Sequence, residues 1–396
     1  MKLSWNLFEN PVYNSASPLF RALDKFYLTE ATFSTYAFGG FGDATVTLDR
    51  VPPQLIEEIW RDWFMKRITA TDGAGAIAYE GYVAEINVQY GSINDMRSID
   101  AFFNRAFVEY TTGATGGGTA YGRVQRNESD VDANAETQTR WGIKEEWIDK
   151  TGDGIISSAV ASAAGDIALA DAIRARHASW NLGDLTKRGV PQNVSVTLTC
   201  WGFHSTLQWR KQTVKYTTAT AIETIVSGAL TTGSKAQYID TSATALANLT
   251  TTGRSIQYNT NATPAWISDY IADVISNGNS AGKRLTFQIW ENRVPYLDVR
   301  ATSPKYYLNA NDHRAYDLNH ATLPLYLVRA GGYAVREDAL ENTTIESDVL
   351  SRPRAQFISQ TTYDAINDTL TIPPPEVEDD TRLLARARRR ARGLRV

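Results

Sequence analysis

Cysteine occurs once in the 396 residues, at Cys200, so no disulfide can form within the chain. Free cysteine most often behaves as a small buried hydrophobe. Cys200 ends the alternating run Val194-Ser195-Val196-Thr197-Leu198-Thr199, which points to an inert interior thiol. Histidine is nearly as scarce, and His177, His204, His313 and His320 are scattered. There is no HExxH, no histidine pair at ligand spacing and no cysteine cluster, so a zinc site is not expected. His313 and His320 fall in a polar loop between strands, where a solvated or hydrogen-bonded side chain is expected. GxSxG is missing, and no GK[ST] closes a glycine loop, which removes two common routes to catalysis and nucleotide binding. No run approaches the roughly 18 apolar residues of a membrane span. Lys2 is followed by no apolar signal region, so the expectation is a soluble chain made in the cytoplasm. A dominant charge is lacking as well. The 40 Lys and Arg against 44 Asp and Glu leave a net −4, which gives the bulk no general attraction to nucleic acid or anionic lipid.

Aromatic residues are plentiful, with 10 Trp and 19 Tyr, which suits packed cores and protein contacts alike. Helix-length apolar stretches are few, which favours strands and loops. The chain is organised around residues 32–91. Thr32-Phe33-Ser34-Thr35-Tyr36-Ala37-Phe38 reads as a strand, Gly39-Gly40-Phe41-Gly42 as a break, and Ala44-Thr45-Val46-Thr47-Leu48 as a second strand. A short helix is expected from Pro53 to Met65. In the closing run Tyr82, Ala84, Ile86, Val88 and Tyr90 share one face, with Val83, Glu85, Asn87 and Gln89 on the other. Glycine-broken strands with a helix across one end predict a closed or nearly closed barrel.

Elsewhere, Leu19 to Leu23 reads as helical, and the Ala-rich segment 157–178 predicts the longest helix, with Ala163, Ile167, Ala170 and Ile173 at helical spacing. The strand pattern resumes after Pro191. A helix is expected at 221–226. Another is expected at 265–277, with Trp266, Ile267, Tyr270, Ile271, Val274 and Ile275 on one stripe, Pro264 ahead and Gly278 as its cap. Strands are expected at 285–290, 294–299 and 325–329.

Two segments carry candidate chemistry. Asp149-Lys150-Thr151-Gly152-Asp153-Gly154 resembles the start of an EF-hand loop, with Asp149, Thr151 and Asp153 as calcium oxygens. The twelfth position is Val160 rather than a bidentate Glu, so affinity should be poor, and a polar turn capped by Ser157 or Ser158 is the plainer expectation. After Pro373-Pro374-Pro375 and an acidic block, the chain ends in Arg386, Arg388, Arg389, Arg390 and Arg392, interleaved with Leu383, Leu384, Ala387 and Ala391. These arginines suit contact with nucleic acid or an acidic partner, or a terminal helix docked on a neighbour. Glu145 and Glu146 are adjacent, so neither helix nor strand turns them into a paired-carboxylate site, and no cofactor or catalytic residue is expected.

The order of these elements, with Glu80, Gly81, Val83 and Ile86 in the closing strand and Thr206-Leu207-Gln208-Trp209 after the Ala-rich helix, resembles the tail-hub (baseplate hub) proteins of tailed bacteriophages. The resemblance covers roughly residues 30–300. It implies a β-rich α+β chain with two tube-like β-barrel domains, a helical insertion and smaller accessory segments. The expected boundaries are 1–127 for the first part of the first barrel, 128–190 for the helical insertion and 191–212 for the strands completing that barrel. A second barrel-like and accessory domain is expected at 213–345, and a C-terminal extension at 346–396. The resemblance further implies a homotrimeric ring in the virion tail tip that adapts a six-fold tube to a three-fold tip and forms part of the DNA-ejection channel. Implied partners are a distal tail or tube protein, the tape-measure protein, and a tip or fibre protein. A receptor- or carbohydrate-binding tail protein is the alternative, since Trp- and Tyr-rich barrels can stack on sugars.

Overall fold

The computed structural model describes residues 3–9, 17–90, 93–115, 118–177, 194–258, 264–300, 304–309, 314–316, 322–337 and 355–373. The opening strands are β1 (Ser4–Phe8), β2 (Leu19–Ala22), β3 (Tyr27–Tyr36), β4 (Gly39–Asp49), β5 (Arg67–Thr71), β6 (Ile77–Tyr90) and β7 (Ile93–Ser98). The chain then leaves to build a satellite. There β8 (Arg105–Thr115), β9 (Gly118–Asn127) and β10 (Glu145–Ile155) pair in the order β10-β8-β9, under the helix Ser158–His177. It returns as β11 (Val194–Gly202), which inserts between β4 and β6 and pairs with both.

Next, β12 (Lys211–Gln212), β13 (Tyr216–Ala221), β14 (Ser255–Tyr258) and β15 (Ala265–Trp266) form two short pairs, β12 with β15 and β13 with β14. The hairpin of β16 (Leu285–Ile289) and β17 (Pro295–Val299) touches β4 in parallel through Gln288 opposite Gly39 and Ile289 opposite Gly40. A five-stranded sheet combines β18 (Pro304–Asn309), β19 (Arg314–Tyr316), β20 (Thr322–Leu323), β21 (Tyr333–Glu337) and β22 (Ala355–Phe357). Finally β23 (Gln360–Asp364) and β24 (Thr369–Thr371) extend the opening sheet beyond β3.

The result is a β-rich α+β fold around one twelve-stranded sheet, whose main path runs β2-β1-β5-β6-β11-β4-β3-β23-β24. Among the described residues no pairing joins the two ends of that path. The alternating sequence explains its sealed face. Ala44, Val46, Leu48, Val196, Leu198, Cys200, Ile86 and Val88 are all at most 2% exposed. The same core takes in Trp5, Trp63, the helices Ile222–Thr231 and Ile267–Ile275, and the β16–β17 hairpin. The second of these helices buries Ile267, Tyr270, Ile271, Val274 and Ile275, and Gly278, at φ +70°, closes it with its N–H on the Ile275 carbonyl at 3.0 Å.

Close approach of strands depends on glycine at one crossing. Gly81 lies opposite Gly202, and a Cβ on Gly81 would sit 2.4 Å from the Trp201 carbonyl oxygen. A side chain there cannot be accommodated without moving β11 away from β6.

Four sequence expectations change, the first at 325–329, where Leu325–Leu327 forms a 3-10 turn after Pro324 rather than a strand. Leu19 to Leu23 is not helical, because β2 pairs with β1 and the chain turns only at Leu23–Lys25. Val83 is fully buried rather than on the polar face of its strand, because the β6–β11 register slips by one residue between Thr199 and Cys200. The long helix forms at Ser158–His177, but Ile167 is 65% exposed. Its buried stripe is Ala161, Gly165, Leu169, Ala172 and Ile173, small residues that let the helix lie close to the sheet. A Cβ on Gly165 would come within 2.9 Å of the Arg126 Cγ.

Candidate interaction face

The second face of the opening sheet is polar and spans six strands. Residues opposite one another across antiparallel strands share a face, so the register draws two transverse rows. One runs Met96, Asn87, Thr197, Thr47, Glu30 across β7, β6, β11, β4 and β3. The other runs Ser98, Glu85, Thr199, Thr45, Thr32, Asp364 and reaches β23. All are half-buried or exposed. Hydroxyls link neighbours along the first row. The Thr47 and Thr197 Oγ1 atoms are 3.2 Å apart, and Thr47 Oγ1 donates to Glu30 Oε2 at 3.1 Å. At the rim, Asp43 N donates to Ser34 Oγ at 2.9 Å and Tyr36 Oη to Asp43 Oδ2 at 3.1 Å. Glu30, Glu85 and Asp364 bring negative charge to these rows, and neither row contains a lysine or arginine. Among the polar residues expected to face outward on β6, Glu85 and Asn87 therefore stand beside Thr199 and Thr197 of a strand more than a hundred residues away, and Gln89 beside Ser195.

Beneath the sealed face, ion pairs anchor the later part of the chain to the sheet. Glu80, 1% exposed, sits 2.8 Å from Arg67 Nε and 3.5 Å from Arg293 Nε, and its Oε2 accepts the Asn292 N–H at 2.6 Å. Burial pulls the Arg293 guanidinium down to about 10, against the opposing pull of Glu80. Glu145 is similarly enclosed, at 3.1 Å from Arg210 Nε and 3.7 Å from Arg105 Nη1. Its neighbour Glu146 is exposed, so the two carboxylates point apart and form no catalytic pair.

The calcium candidates are engaged within the loop itself. Asp149 Oδ1 accepts from Thr151 N at 2.8 Å and Thr151 Oγ1 at 2.6 Å, while Asp153 pairs with Lys150 at 2.9 Å. Local hydrogen bonding holds the Asp149 carboxyl below its usual range. Ser157 Oγ accepts the Val160 N–H at 3.3 Å and caps the helix. Among the described residues, no three His, Cys, Asp or Glu side chains converge on a metal-sized site. Arg386, Arg388, Arg389, Arg390 and Arg392 lie outside the described residues, as do His313, His320 and the side chain of His177. Cys200 is buried, with its thiol pushed up by burial. His204 packs edge-on against Phe38 with centroids 5.0 Å apart, and its sealed Nε2 has no hydrogen-bond partner. Burial pushes its ring down to about 4.

The satellite carries a feature the sequence pattern concealed. Tyr121 on β9, Ile155 at the end of β10, and Val160 and Ile167 on the helix are 55% to 70% exposed. Val160 and Ile167 are two turns apart on one helix face. The fourfold spacing of Ala161, Gly165 and Leu169 was the available signal that the helix packs through its small residues and leaves Ile167 outside. No helix of the described residues is long and apolar enough to cross a membrane. No family model matches the chain, and no curated protein matches it.

Proposed function

We propose that the chain is a structural subunit of a bacteriophage tail, forming a homotrimeric hub ring at the distal end of the tail tube. The observation that carries this reading is the broad polar face of the opening sheet, with its carboxylates and without a cation in either row. Polyanion binding depends on lysine and arginine neutralising phosphates. A surface with hydroxyls, amides and a few carboxylates offers DNA no such hold and lets it pass. In this reading the opening sheet is the tube-like first barrel, and residues 213–345 contribute the second barrel-like unit. A trimer then presents six similar units to the six-fold tube.

The exposed apolar side chains of the satellite supply contacts between subunits or to a neighbouring ring, since apolar patches on a folded surface mark interaction sites. The partners are the tube or distal tail protein above, the tape-measure protein within, and a tip or fibre protein below. Arg386, Arg388, Arg389, Arg390 and Arg392 contact an acidic partner or DNA. The chain acts through these contacts and catalyses no reaction.

Counting copies in purified tails by quantitative mass spectrometry tests the proposal. Three copies per particle support the hub. Six point to an adaptor ring, and hundreds to a tube or capsid subunit, and either result refutes the hub.

A further inference from the structure

The register of the β16–β17 hairpin places Thr286 opposite Asp298 and Gln288 opposite Tyr296, all on one face. Phe287 and Leu297, between them, are fully buried on the other. The polar face looks across at residues 329–332, and the gap is a cavity of about 420 Å³ that also meets Trp290, Glu291 and Lys305. Small-molecule sites occupy about 300–1,000 Å³.

The walls are held in place. Gln288 is 7% exposed, donates to the Ala330 carbonyl at 3.2 Å and accepts from Trp290 Nε1 at 3.2 Å. Gly331 has φ +97°, and a Cβ there would lie 2.3 Å from Gln288 Nε2. Several groups around the cavity keep hydrogen-bonding capacity. Asp298 uses Oδ1 to accept from Thr250 at 3.1 Å, which leaves Oδ2. Arg329 also lines the cavity, with its Nη2 already engaged by Glu291 and the Ile77 carbonyl oxygen. The Tyr296 hydroxyl is half-buried and bonds no described residue.

The charges balance, with Glu291 and Asp298 against Lys305 and Arg329, so the cavity favours neither an anion nor a cation. Donors and acceptors both line the cavity with Tyr296. A ligand suited to this has hydroxyls that both donate and accept, no net charge, and an apolar C–H face. We propose that the cavity between the β16–β17 hairpin and residues 329–332 binds a short neutral saccharide. Tyr296 stacks on a sugar ring, Asp298 accepts from its hydroxyls, and Lys305 donates to its oxygens. The site does not depend on the ring reading, because a chain that stays monomeric retains the whole cavity.

The test is calorimetric titration of the full chain with maltose, cellobiose, lactose, mannobiose and N,N′-diacetylchitobiose, with glycine and inorganic phosphate in parallel. The expected result is saturable binding of at least one disaccharide, at a dissociation constant of about 1 mM or tighter, and of neither control. Tyr296→Ala and Asp298→Asn each weaken it about tenfold, as expected for lost hydrogen bonds and stacking. Lys305→Met, at an exposed position, weakens it in a chain whose core is untouched and serves if either other variant fails to fold. Binding of no disaccharide, binding unchanged in the folded variants, or preference for glycine or phosphate overturns the proposal.

Discussion

The centre of the opening sheet and the satellite are both strands under a helical cover, yet they spend their apolar residues differently. Around β4, β6 and β11 nearly every apolar side chain is sealed, and even the charged Glu80 is 1% exposed. In the satellite, Val108, Tyr110 and Ala161 form a small cluster, while Tyr121, Ile155, Val160 and Ile167 face outward. The helix is held to its sheet partly by Arg126, which reaches Asp166 through Nε at 2.6 Å and Nη2 at 2.9 Å. The first region is built for its own stability. The second keeps apolar surface beyond what its own packing uses, which is what a contact surface requires.

Substitutions at the two places separate these roles. The largest effect is expected from Glu80→Gln, which leaves Arg67 and Arg293 buried without their counter-charge. Loss of one partner from a buried pair costs about 3–5 kcal/mol, which urea unfolding of the variant measures. A loss below about 1 kcal/mol, the range of exposed pairs, makes this cluster equivalent to a surface ion pair. Next, Gly81→Val forces a side chain against the Trp201 carbonyl and should cost about 1–3 kcal/mol. Unchanged stability contradicts the proposed tight crossing of β6 and β11.

A smaller effect is expected at His204. Its folded value of about 4 lies below the ordinary 6.5, so the unfolded chain binds more protons between those values. Stability is full above pH 6.5 and falls as pH drops towards 4. The residue as a whole is half-buried although its Nε2 is sealed, so the loss is discounted to on the order of 1 kcal/mol. Thermal melts across this range detect it, and His204→Phe should flatten that part of the profile. The smallest effect on folding is expected from Ile167→Ser, within about 0.5 kcal/mol for an exposed position. Its effect should appear instead as weaker self-association in sedimentation, and a large loss of melting temperature would place Ile167 in the core.

Period-two alternation made β4, β6 and β11 legible from sequence, and the stripe from Ile267 to Ile275 made that helix legible. Both signals are local. What stayed hidden depends on distant pairing. Thr35 and Thr361, 326 residues apart, bring their hydroxyls to 2.6 Å where β23 joins β3, and no local pattern foretells it. Glu80 reads as one polar position in a strand, because its partners Arg67 and Arg293 come from different segments. The Ala-rich segment marks its helix, but of the stripe expected there only Ile173 is buried. Ile167 is the larger apolar residue, yet close packing selected Ala161, Gly165 and Leu169. The polar face is half-visible in sequence, since alternation turns Glu85, Asn87 and Gln89 to one side of β6, whereas the threonine rows beside them follow from strand order. The cavity at Tyr296 and Asp298 arises where a hairpin meets residues 329–332, and nothing in the run 294–299 marks it.

We propose that this chain assembles into a closed three-fold ring through surfaces its own fold leaves open. The most direct measurement is the native mass of the purified full-length protein across a concentration series. A species of three chains, weakened by Ile167→Ser without loss of fold, is the predicted result. A chain that remains monomeric at the highest concentration, or that grows into open-ended polymers, contradicts it.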